Sequence, residues 1–397
     1  MVKHSAASTP GSFPLVSLIR EHLQRHGPVP FPWFMDQALY HPEYGYYTSP
    51  RLRIGRKGDY YTNVSVGRLY GQLLASQLIE MWKLLGSPSC FTIVEEGAED
   101  GQLAMDILSA IREESVEADE CIRYTILEPI PGKRLQQRAR FEPAFLENEK
   151  LTWLNGLSDL EGVTGAFISN ELVDAMPVHL VAYRDAEWSE LLVGISGADF
   201  GFVPAKVTAP DLIEALDKLP LPVTSPYRTE VNLAARRWIQ AVGTSLERGF
   251  VLIVDYGFPR DEYYKPERTT GTLSCYSRHR RSYNPLERPG EIDITAHVDF
   301  TSLAEAAAKA SLNVAGYADQ HHFMVGAAES RLLALERAVE KEGLTPARAA
   351  FLGPYRTLMH PGTMGTAFKF LLLTKGLDAR PLLSGFKYAA DPWKSLG

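Results

Sequence analysis

Short apolar runs and helically spaced stripes alternate along most of this chain. VGRLYGQLLASQLIEMWKLLG (66–86) sets Leu69, Leu73, Leu74, Leu78 and Trp82 at helical spacing and stops at Gly86, which predicts a helix. FTIVEE (91–96) predicts a strand, and QLAMDILSAI a helix after it. The alternation continues with a strand at IRYTILE (122–128), a helix over 132–141, and strands at LTWLN (151–155) and GAFISNE (165–171). VNLAARRWIQAVGTSL (231–246) predicts a helix and GFVLIVDYG (249–257) a buried strand. VDFTSLAEAAAKA (298–310), LNVAGYAD (312–319) and TAFKFLLLTKG (366–376) read as helix, strand and strand. Such alternation implies right-handed βαβ units and a largely parallel sheet, an α/β fold.

Three stretches break the pattern. Residues 14–40 mix short helical patterns with Pro-rich breaks, and 41–62 (HPEYGYYTSPRLRIGRKGDYYT) are irregular and rich in tyrosine. Residues 180–206 read as short antiparallel strands, an insertion. CYSRHRRSYNPLERPGEIDITAHVDF (275–300) is a long polar segment, and long segments of this kind within a domain are commonly functional.

Composition narrows the class. The 397 residues are 45% hydrophobic and 22% charged, ample for a core, and the net charge of −7 argues against a nucleic-acid partner. The 3 cysteines form no CxxC pair, so structural disulfides and a thiolate zinc site are not expected. With no signal-peptide core and no apolar run long enough to span a bilayer, the chain reads as cytoplasmic.

Candidate chemistry centres on VEEGAEDGQ, where a strand enters a helix. A dinucleotide fingerprint starting at Gly97 would need glycines at Glu99 and Gln102. Glu99 and Asp100 would also repel a pyrophosphate from the helix N-terminus. S-adenosylmethionine (SAM), which carries a sulfonium, reverses that sign. Its ribose calls for an acid at the end of the next strand, and IRYTILE ends at Glu128. An ordinary βα turn with two N-terminal helix charges is the plain alternative.

GAFISNELVDAMPVHLV sets Asn170, Glu171 and Asp174 beyond a neighbouring strand, where substrate-facing groups belong in this architecture. Capping by Asn170 or Asp174 of an early helical turn near Pro177 is the alternative. Asp255 ends another strand, as catalytic group, ion pair or cap, while His279 and Asp293 are candidates in the long polar segment. His321 and His322 are adjacent rather than helically spaced, so no metal site is expected.

The chain resembles the MidA family of class I SAM-dependent methyltransferases, whose mitochondrial members act in complex I assembly. ALYHPEYGYYT, IGRKGDYYT with LYGQLL, GAEDG, LEP (127–129), NELVDAMPVH, VDYGF, ERPGEIDITAHVDF and MGTAFKFLLL carry the likeness, across about residues 30–375. It implies a Rossmann-like sheet of seven strands at 66–376, with insertions near 180–228, 258–297 and 320–362, an arm at 1–65 and a tail at 377–397. It further implies that Glu95, Gly97, Ala98 and Gly101 form the SAM loop, that Glu128 meets the ribose, and that Asn170 and Glu171 border the methionine end. Gly58, Asp59 and Thr62 would fold over the cofactor. Two positions depart from the family pattern. Glu99 replaces a loop glycine, and Asn63-Val64-Ser65 replaces Ser/Ala-Pro-Glu.

The implied acceptor is a protein arginine, in a respiratory complex I-type subunit. Its cationic guanidinium needs a carboxylate to orient it and to receive a proton. Glu171 is the first choice, with Asp174 and His279 next. A SAM-binding assembly protein with little turnover, or a small-molecule methyltransferase, is the alternative, and a homodimer is allowed. In calorimetric titration, Gly97→Arg is expected to abolish SAM binding that the unaltered protein shows. Unchanged binding would remove the loop from the site.

Overall fold

A computed structural model describes residues 13–48, 62–141, 143–147, 150–220, 225–277, 280–377 and 381–397. The chain divides into two compact units. The first comprises Met1–Tyr61, Asp174–Ala235 and Arg260–Asp299, and the second Thr62–Val173, Arg236–Pro259 and Phe300–Gly397. Gly58, Asp59 and His279 lie outside the described residues.

In the first unit, His179–Arg184, Glu187–Ser196 and Asp199–Lys206 make an antiparallel meander, and Tyr227–Val231 pairs with the first of them. Asp185 and Ala186, at φ 53 and 63, form the two-residue turn between the first two strands, and that hand matches the twist of a hairpin. Helices Phe13–His26 and Phe31–Tyr40 bury Leu15, Ile19, Phe31 and Phe34 with Val178, Leu180 and Val193 in one core.

The second unit holds the parallel sheet. Its strands are β1 (Phe91–Glu96), β2 (Ile122–Leu127), β3 (Leu151–Leu154), β4 (Val163–Asn170), β5 (Leu246–Phe258), β6 (Asn313–Asp319) and β7 (Phe368–Lys375). They lie in the order β6-β7-β5-β4-β1-β2-β3. Strands β3, β2, β1, β4 and β5 are parallel, whereas β7 runs antiparallel between β5 and β6. The order reverses between β1 and β4, and ligands of such sheets bind beyond the strand ends there.

The helices that serve the site are α1 (Leu69–Leu84), α2 (Gln102–Glu114), α3 (Pro131–Arg138) and α4 (Leu233–Ser245). Leu73 and Leu78 of α1 and Leu103 and Ile107 of α2 join Ile93, Ile126, Ile168 and Leu252 of the sheet in one buried cluster. The two helices cross closely at Gly71, where a Cβ would stand 2.4 Å from the Asp106 Cβ.

Two expectations are corrected. Residues 171–178 form turns and bends, so the early helical turn near Pro177 is absent. Two helices that the pattern did not predict, α5 (Gln320–Glu342) and α6 (Pro346–Met359), occupy most of 320–362. Helix α5 buries Phe323 and Met324 near its N-terminus and then only Gly326, Ala327 and Ala328, and a Cβ at Gly326 would lie 2.1 Å from the Ser384 carbonyl oxygen. Past Met324, small residues at a close backbone approach leave no sustained period of large apolar positions.

Gly71→Val is expected to destabilise the protein by about 1–3 kcal/mol by overpacking the α1–α2 crossing. Urea unfolding checks this, and an unchanged midpoint would refute the tight crossing.

Candidate functional site

Strand β1 ends in two acids that point to opposite faces. Tyr124 donates to Glu95 Oε2 at 2.8 Å, and Trp238 of α4 donates to Glu96 Oε2 at 2.8 Å. Burial pushes both carboxyls up, Glu95 to about 7.

The loop after them is left-handed at three positions: Gly97 at φ 83, Glu99 at φ 49 and Gly101 at φ 81. Glu99 therefore holds a backbone conformation that a glycine would adopt without strain. The charge of this loop differs from its sequence reading. Arg140 pairs with Asp100 Oδ2 and donates through Nε to the Asp100 carbonyl at 2.9 Å, so one of the two acids is offset. Burial, then the neighbouring Asp100 charge, raises the Glu99 pKa. Ala98 is buried beneath the loop.

Glu128 follows β2 and is 6% exposed. Its Oε1 accepts the Ile130 N–H at 3.0 Å and its Oε2 accepts Gln137 Nε2 at 3.3 Å. Burial raises its pKa against the pull of Lys133. A carboxylate has about four acceptor sites, so both oxygens keep capacity for ribose hydroxyls.

At the end of β4, Tyr70 of α1 donates to Asn170 Oδ1 at 2.5 Å, and Asn170 Nδ2 donates to Glu171 Oε1 at 3.2 Å. The Asn63 N–H also points to Glu171 Oε1, at 3.4 Å. Asn170 thus orients its neighbour and caps nothing. Glu171 sits at φ 55, its N–H bonded to the Val254 carbonyl at 2.9 Å. Asp255, fully buried, accepts the Val173 N–H at 2.9 Å and so ties this turn to β5. The turn adjoins the glycine loop, since a Cβ at Gly97 would meet Leu172 Cδ1 at 3.2 Å.

The structure therefore brings Glu95, Gly97, Ala98, Gly101, Glu128, Asn170 and Glu171 to one edge of the sheet. Thr62 joins through its neighbour Asn63, and its hydroxyl bonds Ser65 Oγ at 2.9 Å. Asp174 belongs to the first unit, where it is buried and its carbonyl accepts the Ala296 N–H. Asp293, also in that unit, accepts from the Tyr47 hydroxyl at 2.8 Å. His321 Nδ1 lies 3.0 Å from the Met359 carbonyl and His322 Nδ1 2.6 Å from Asp319 Oδ1. Tyr70, Gln137 and Asp255 are the functional neighbours that sequence reasoning missed or left undecided.

A family model for S-adenosyl-L-methionine-dependent methyltransferases matches residues 73–318. The chain is 28% identical to the mitochondrial protein arginine methyltransferase NDUFAF7 homolog of Drosophila melanogaster, over 95% of this chain and 89% of that one. It is 24% identical to the mitochondrial protein arginine methyltransferase NDUFAF7 of Homo sapiens, over 93% and 86%. A crystal structure from Burkholderia thailandensis, bound to S-adenosyl-homocysteine, superposes with a TM-score of 0.84 at 30% identity, covering 96% of this chain and 97% of that one.

These relatives correct one expectation. The curated ones are named as mitochondrial, which overturns the cytoplasmic reading. No helix among the described residues is long and apolar enough to cross a membrane.

The acids at this edge predict pH-dependent cofactor affinity. Glu95, held near 7 against an ordinary 4.5, binds a proton in the folded apo-protein that the unfolded chain has lost. Its contribution to apo-protein stability therefore falls as pH rises between those values. A cationic ligand favours the ionised form, so SAM affinity is expected to rise about tenfold between about pH 6 and pH 8, for one linked proton. S-adenosylhomocysteine, which lacks the sulfonium charge, should change less. Calorimetry at several pH values checks this, and equal slopes for the two ligands would refute it.

Proposed function

The chain belongs to the family of S-adenosyl-L-methionine-dependent methyltransferases, and we propose that its methyl acceptor is an arginine side chain of a protein. The observation that carries the reading is the Glu171 carboxylate, fixed through Oε1 at the edge of β4 beside the glycine loop. The relatives named as protein arginine methyltransferases support it, and the family resemblance makes a respiratory complex I-type subunit the first acceptor to test.

The residues present fit the cofactor. The left-handed glycines permit close backbone approach, and Glu128 offers acceptor positions beside them. SAM, when bound, would supply an electrophilic methyl group bonded to a sulfonium sulfur. This chain supplies alignment and charge. Glu128 would take the ribose hydroxyls, and the backbone around Gly97 and Gly101 would hold the rest of the cofactor. A guanidinium is protonated at ordinary pH, so its attack requires orientation and a place for the released proton. Glu171 serves both needs. With Oε1 held by two N–H donors, its carboxylate is fixed in one orientation toward a forked cation.

Glu171→Gln keeps the shape and the Oε1 acceptor but removes the charge and the proton acceptor. Methyl transfer to a protein acceptor is expected to fall about a hundredfold or more, with SAM affinity within about twofold of the unaltered protein. Single-turnover transfer and calorimetry check the pair. Parallel loss of SAM binding would defeat the assignment.

A further inference from the structure

Gln137, on α3, takes no part in the chemistry above, yet it is fully buried and bonded on both sides. Its Nε2 donates to the Glu99 carbonyl at 2.8 Å and to Glu128 Oε2 at 3.3 Å. Its Oε1 accepts from Trp153 Nε1 at 2.8 Å. An indole N–H can only donate, so the oxygen of this amide must face Trp153, and the nitrogen must face the loop and the acid. The orientation is set by chemistry alone.

One side chain thus joins two parts of the cofactor site that lie on separate βα turns. The glycine loop is tied at Glu99, the residue whose left-handed backbone is strained. The acid after β2 is tied at one oxygen while the Ile130 N–H holds the other. Without those two bonds, the Glu128 carboxylate could rotate about its terminal torsion, which is broad in glutamate. The Glu99 carbonyl, beside a buried side chain, would also lose its partner.

We infer that Gln137 is a positioning residue for cofactor binding: it sets the Glu128 carboxylate toward the ribose hydroxyls and holds the GAEDG loop against it. The inference rests on the reading of Glu128 as the ribose acceptor. Trp153 is part of the device, because it fixes which way the amide faces.

Gln137→Glu tests this directly. When ionised, a carboxylate of nearly the same shape still accepts from Trp153 but offers no donor and repels both Glu128 and the Glu99 carbonyl, so binding is measured above its burial-raised pKa. The measurement is calorimetric affinity for S-adenosylhomocysteine and for its analogue lacking both ribose hydroxyls. The variant is expected to bind S-adenosylhomocysteine about ten- to a hundredfold more weakly, with a clearly smaller loss for the analogue, which reports the loosened loop alone. Glu128→Gln should show the same selectivity. Trp153→Phe, which frees the amide to turn over, should show a smaller loss in the same sense and carries the test if Gln137→Glu does not fold.

Equal weakening of both ligands by the Gln137 variant, or weakening of neither, would overturn the inference while leaving Glu128 in place. If Glu128→Gln itself fails to discriminate between the ligands, the ribose reading falls and the inference falls with it.

Discussion

A strand paired on both sides in parallel must be buried on both faces, and the candidate site follows from how β1 meets that demand while ending in charge. Its register with β2 and β4 leaves Glu95 buried and Glu96 half-buried. Burying ionised carboxylates costs several kcal/mol each unless they are neutralised or hydrogen-bonded. Here each receives one hydroxyl or indole N–H, and each is held toward its neutral form. A carboxyl poised near neutrality adds little to the cost of folding. It gains charge when a cation arrives, which suits a ligand that carries a sulfonium.

The glycine loop hangs from that strand end, and its electrostatics are milder than its sequence suggests. Two consecutive acids invite the argument that a pyrophosphate would be repelled and a cation drawn in. Arg140 removes much of the force of Asp100, which leaves Glu99 and the raised Glu95 as the charges that matter. The identity of the cofactor therefore rests less on charge than on the acid after β2, the missing fingerprint glycines and the family match. Glu99 also shows what the altered glycine means in physical terms. The backbone keeps its left-handed turn, at a cost of about 1 kcal/mol or more that the surrounding hydrogen bonds offset.

Much of this was legible in the sequence, because parallel strands and amphipathic helices write their burial as local periods. The strands β1 to β5, the turn at GAEDG, and the acids at 128 and 171 were read from neighbours only a few residues apart. What stayed hidden depends on pairs that meet only through the sheet. Tyr70 bonds to Asn170 and Gln137 to Glu99, and no local pattern marks either pairing. Asp255 had three readings from sequence, and its bond to the Val173 N–H makes it the anchor of the neighbouring turn. Helix α5 was missed for a different reason. After Phe323 and Met324 its buried face is Gly326, Ala327 and Ala328, and close backbone approach at small residues sustains no hydrophobic period.

The turn at Glu171 shows why the scaffold concentrates its polar bonds at this edge. A glutamate at φ 55 is disfavoured by sterics and persists only where its surroundings leave no alternative. Its own N–H is fixed to Val254, its carboxylate to Asn170 and Asn63, and the N–H two residues on to Asp255. Val254 and Asp255 lie on the buried strand β5, Asn170 ends β4, and Asn63 is a fully buried turn residue. Removing any one of them would let the backbone relax toward the ordinary β region and swing the carboxylate away from the edge of the sheet. Strain and hydrogen bonding are thus opposed at a single residue. That opposition gives a short side chain one defined position, which is what orientation of a cationic acceptor requires.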